Sequence, residues 1–87
     1  MRLSLHTMEQ TVYEGETSRV SLPTVMGQVT ILDNHEPYVT MLLPGEIVYE
    51  ANRVVGPNTI QEEGRLPVQG GFVEVRPGNE LRILADQ

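Results

Sequence analysis

The chain has 87 residues, a net charge of −6 and no Cys. Its length suits one domain with a modest core of its own. All six cations are Arg, scattered from Arg2 to Arg82. No basic stripe exists to bind nucleic acid, and the charge disfavours anionic lipid headgroups. Without Cys, a disulfide framework, a thiolate metal site and a Cys nucleophile are all excluded.

Hydrophobic residues make up 39% of the chain, which suits a folded globule better than a disordered tail. Period two dominates from the start. Leu3 and Leu5 alternate with Arg2, Ser4 and His6. Val20 and Leu22 alternate with Arg19 and Ser21, and Val29 and Ile31 with Gln28 and Thr30. Val73 and Val75 alternate with Phe72, Glu74 and Arg76, then Leu81 and Ile83 with Glu80 and Arg82. Such alternation turns one face of each strand to a core and the other to solvent.

Turn signals divide these runs: Glu14-Gly15-Glu16, Pro23, Met26-Gly27, Asp33-Asn34, Pro44-Gly45, Gly56-Pro57-Asn58, Glu63-Gly64 and Pro77-Gly78-Asn79. Strands of about five residues are expected between them, with Pro77-Gly78-Asn79 closing a hairpin. No segment sustains a 3.6 period, so no substantial helix is expected. The prediction is all-β: a flattened β-sandwich of two antiparallel sheets, one domain over 1–87. The opening residues alternate instead of forming an apolar leader, and no apolar run could span a bilayer. An intracellular compartment, with any membrane association indirect, is the expectation.

Candidate chemistry is sparse. Asp33-Asn34-His35-Glu36 is the densest polar cluster, and with His6 it could serve a small metal-dependent barrel. Adjacent residues on a strand point to opposite faces, however, and Asp and Asn are common turn formers. Ser4, Ser18 and Ser21 lack a nucleophile-elbow context. Glu62-Glu63 reads as a solvated pair. Gln69-Gly70-Gly71 lacks the Lys-Ser/Thr of a phosphate loop, and reads instead as a bulge or close backbone approach. Met26, beside Gly27 at a loop tip, suits either an adaptable protein contact or simple exposure. No catalytic residue, metal site or cofactor is expected. The leading rival is a stand-alone β-sandwich ligand-binding module, for which surface aromatics are few: Tyr13, Tyr38, Tyr49 and Phe72.

Three blocks together resemble a known family. The first runs from Leu22-Pro23-Thr24 through Met26-Gly27-Gln28 to Leu32. The second runs from His35-Glu36-Pro37 through Thr40 to Pro44-Gly45. The third is Gly70-Gly71-Phe72-Val73-Glu74-Val75 with Leu81 to Asp86. Their order and spacing are similar to the amino-terminal β-sandwich domain of the epsilon subunit of F-type ATP synthase, the delta subunit of mitochondria. The resemblance implies a non-catalytic rotor subunit of the central stalk, coupling the gamma subunit to the c-ring during proton-driven ATP synthesis. It implies a peripheral place at the cytoplasmic face of the cell inner membrane. Met26, Gly27 and Gln28, with Asn34, His35 and Pro37, match loops that face the c-ring; Thr7 and Thr40 match positions near gamma. Asn34 stands where the family often has Gly, and Asn can take the same left-handed backbone. The carboxy-terminal helical hairpin of many members has no counterpart after Asp86, so the nucleotide-binding and inhibitory roles of those helices are not expected of this chain.

Overall fold

The computed structural model describes residues 1–87, and every element is a strand. The strands are β1 (Arg2–Thr7), β2 (Thr11–Glu16), β3 (Arg19–Thr24), β4 (Gly27–Leu32), β5 (Tyr38–Leu42), β6 (Gly45–Val55), β7 (Asn58–Val68), β8 (Gly70–Arg76) and β9 (Glu80–Asp86). They form two facing layers, β2-β1-β9-β8-β5 and β4-β3-β6-β7. Inward residues of both layers meet in one core. Leu3, Leu5, Val73, Leu81 and Ile83 come from the first layer; Val20, Leu22, Ile31, Ile47 and Val68 come from the second. All but Ile47 and Val68 are residues that the period-two reading turned inward.

The all-β class and the facing layers stand as expected. Three details differ. First, the layers are not two separate antiparallel sheets. The chain crosses between them at the Leu43-Pro44 corner, and β3 pairs with β6 at Val20↔Tyr49 and with β5 at Thr24↔Leu42. One hydrogen-bonded path therefore curls through both layers. Second, β1 and β9 pair in parallel, Leu3 opposite Leu81 and Leu5 opposite Ile83. The first and last strands of the chain are joined by the whole fold, so no hairpin constrains their direction.

Third, β6 and β7 have 11 residues each instead of about five. Glu63-Gly64 does not break the chain. Gly64 lies opposite Tyr49, and a Cβ there would fall 2.3 Å from the Tyr49 ring. The glycine makes room for an aromatic ring laid across the ladder. Only Gly56-Pro57 turns this hairpin, with Gly56 at φ +59°, the conformation that favours glycine in a two-residue loop. Likewise Glu14-Gly15-Glu16 lies within β2 and Pro23 within β3. Tyr49 also stacks on Tyr13 of β2 at 5.2 Å between ring centroids, which draws the open edge of the first layer toward β6.

The two ends of the sandwich are built differently. At one, an inward row crosses the fold from Thr7 to Ala85, Gly71, Leu42 and Thr24. Beyond it lie the β1–β2, β3–β4 and β5–β6 turns. At the other, the β8–β9 hairpin meets the loop between β4 and β5.

Candidate functional site

The loop residues singled out in the sequence divide between these ends. Met26 and Gly27 turn the β3–β4 hairpin, Gly27 at φ +106°, and Gln28 follows on β4. Thr24 fixes this turn by donating its hydroxyl to the Gly27 carbonyl (2.8 Å) and accepting from the Met26 N–H (3.1 Å). Met26 itself is 82% exposed, and Met8 of the β1–β2 turn at the same end is 80% exposed.

Asn34, His35 and Pro37 lie past the far end of β4. Five residue steps separate Gly27 from Leu32, about 17 Å of strand. The two loops do not form one patch. Asn34 takes φ 60°, the left-handed conformation inferred for it, and its N–H donates to Asn79 Oδ1 at 2.7 Å. Asp33 pairs with the Met1 ammonium and accepts from Asn79. The ammonium, and then Asn79, hold its carboxyl below the usual range. His35 is spent locally, its Nδ1 2.8 Å from the Glu36 carbonyl and its ring against Tyr38. This cluster is a turn joining β4 to the β8–β9 hairpin.

His6 belongs to β1, opposite Leu84, far from His35. No group of three His, Asp or Glu side chains is gathered where it could hold a metal ion. Of the aromatic residues, Tyr49 is buried, Tyr13 and Tyr38 are half-buried against the core, and only Phe72 is exposed. A stacking platform for a sugar would need more.

Thr7 and Thr40 both point inward and are buried. The Thr7 hydroxyl accepts from the N–H groups of Glu9 and Gln10, closing the β1–β2 turn. Within the domain both side chains lie inside the fold and not on its outer face. What the outer face does present is apolar. Val25 N–H donates to the Met41 carbonyl, Met41 pairs with Phe72, and Phe72 pairs with Leu84. These four side chains make a row from the turn after β3 across β5, β8 and β9. They are 54%, 58%, 48% and 45% exposed, and Val39, one step along β5, is 56% exposed.

Five large apolar side chains on one face of a small acidic domain are more than the scattered exposure common on monomers. Period two missed them because it credits each strand with one buried face. The signal was present in apolar residues of opposite parity. Met41 is out of phase with Leu42, Phe72 with Val73 and Val75, and Leu84 with Leu81 and Ile83.

Residues 1–87 match the family of the ATP synthase delta/epsilon chain β-sandwich domain. The ATP synthase epsilon chain of Herpetosiphon aurantiacus is 43% identical over 86 residues, covering 99% of this chain and 57% of that one. The epsilon chain of Neisseria meningitidis is 35% identical, with 99% and 56% covered. The chain thus spans somewhat more than half the length of these relatives. Among solved structures, a chain in the central stalk and c-ring of the Tetrahymena thermophila mitochondrial ATP synthase superposes with a TM-score of 0.78 at 20% identity. That superposition covers 99% of this chain and 63% of that one. A chain of the Euglena gracilis mitochondrial enzyme gives the same TM-score and identity. This chain shares its fold with those two solved structures, and with the family match along its whole length the chain belongs to the family of ATP synthase delta/epsilon β-sandwich domains.

Proposed function

We propose that this domain is a non-catalytic part of the central stalk of an F-type ATP synthase, coupling the gamma subunit to the c-ring. The observation that carries the proposal is the outer apolar row Val25–Met41–Phe72–Leu84, with Val39 beside it. Left in water it is unfavourable; covered by gamma it supplies the central, desolvated part of an interface. The buried Thr7 and Thr40 support this face from behind. The end carrying Met26, Gly27 and Gln28, with Met8, meets the polar loops of the c-ring, where flexible methionines adapt to a turning surface. Asn34, His35 and Pro37 lie at the opposite end and hold the fold together there. A packed sandwich transmits load without gradual deformation, which is what coupling requires.

The whole assembly works at the cytoplasmic face of the cell inner membrane, and the domain touches the membrane only through its partners. Proton flow and ATP chemistry take place in other subunits. The cognate gamma subunit, titrated with this chain in a calorimeter, is expected to form a one-to-one complex of micromolar affinity or tighter, burying about 800 Å² on each side. Absence of a complex at tens of micromolar would overturn the proposal.

A further inference from the structure

The charges on the outer face carry one more conclusion. The chain has twelve carboxylate side chains and six Arg, so every Arg could find a partner. Four do: Arg19 with Glu50, Arg53 with Glu62, Arg65 with Glu46 and Glu63, and Arg76 with Glu74 and Glu80. Arg2 and Arg82 have no carboxylate oxygen within 4 Å, although Glu16 and Glu80 stand opposite Arg2, and Glu74 opposite Arg82, on the neighbouring strands. Both are exposed, and they stand on adjacent parallel strands, β1 and β9, where Arg82 lies opposite Ser4, two residues from Arg2. They line one shallow depression of about 250 Å³ on the outer face. Its two acidic walls are turned to other groups, Glu80 to Arg76 and Glu14 to His6 at 3.9 Å each. The depression adjoins the apolar row, since Arg82 is two residues from Leu84 on the same face of β9.

We infer that Arg2 and Arg82 receive carboxylate side chains of the protein segment that covers the apolar row. The partner segment therefore has an apolar stripe flanked by Asp or Glu. This rests on the docking face proposed above and adds the chemistry of its occupant. Two adjacent unpaired cations on a protein of net charge −6 define a local site against the overall field, and so set the register of docking more than its strength. Guanidinium groups suit the task because they take carboxylates bidentately.

The test compares wild type, Arg2→Ala/Arg82→Ala and Arg53→Ala in binding to the cognate gamma subunit at several salt concentrations. The double variant is expected to bind about five- to tenfold more weakly at low salt, and its affinity should depend less on salt. Arg53→Ala, far out on the β6–β7 hairpin, should behave as wild type. Gamma that binds all three proteins equally, with the same salt dependence, overturns the inference and leaves the stalk reading standing. Gamma that does not bind wild type overturns both. A saturable heat with inorganic phosphate alone, lost in the double variant, would reassign the pair to a small anion and also overturn the inference.

Discussion

Gly71→Ala is expected to destabilise the domain by about 3–5 kcal/mol, while Gly70→Ala costs about 1 kcal/mol or less. Gly71 sits at φ +139°, a conformation open to glycine and strained for any residue with a Cβ. There is also no space for one. A Cβ would fall 2.4 Å from the Leu84 carbonyl oxygen and 2.9 Å from Ala85 Cα, both backbone atoms of the paired strand. Relief would require β8 and β9 to separate where they carry Val73, Ile83 and Ala85 into the core. At Gly70 the nearest atoms would be at 3.7 and 3.9 Å, ordinary contact. A domain of this size has total stability of about 4–13 kcal/mol. Thermal unfolding followed by circular dichroism should therefore show a Tm lowered by about 15–30 °C for the first variant and by a few degrees for the second. Equal Tm values would mean that the close approach of β8 to β9 is not as described.

The second large effect concerns binding. Met41→Glu/Phe72→Glu is expected to fold normally and to bind the gamma subunit at least 100-fold more weakly, about 3 kcal/mol or more. Both side chains are about half exposed in the isolated domain, so the core loses little. In the complex, each substitution removes apolar contact and strands a carboxylate in a dry interface, which is costly without a partner. The two residues are cross-strand neighbours, so their effects should not be simply additive. Unchanged affinity, with unchanged Tm, would remove the apolar row from the interface. Because the proposed arginine contacts are salt-sensitive and this one is not, the two contributions separate in a salt series.

Much of the fold was legible because alternation is a local property. Leu3 and Leu5, Val20 and Leu22, Val73 and Val75, and Leu81 and Ile83 all turn inward as their spacing requires. The close approach at Gly71 was also readable from the Gly70-Gly71 pair, and the left-handed Asn34 from the family resemblance, where Gly often holds that place. What eluded the reading depends on partners distant in sequence. Gly64 resembles a turn until Tyr49 is known to lie opposite it, 15 residues earlier in the same hairpin. The parallel pairing of β1 with β9 joins the two ends of the sequence, and nothing local announces it. The extended β6–β7 hairpin has few core residues in its outer half, so hydrophobic pattern could not mark its length.

The site was less legible than the fold. The Met26-Gly27-Gln28 and Asn34–Pro37 segments are close in sequence, but a six-residue strand holds them apart. Thr7 and Thr40 are polar by type, yet each falls in phase with buried leucines, Leu5 and Leu42, and parity decides where they point. Parity equally identifies Val39, Met41, Phe72 and Leu84 as outward, once the opposite face is known to be full. Strands apolar at both parities suit cover on both sides, and under the proposed function gamma supplies the second cover.

That statement is best tested by proximity in the assembled enzyme. The chain has no native Cys, so single cysteines report one position each. With a short thiol-directed cross-linker, Met41→Cys on the outer row should join to gamma in high yield. Gln61→Cys, on the outer half of the β6–β7 hairpin, should not. Efficient linkage of gamma through position 61 with none through position 41 would place the partner on another surface and contradict the account.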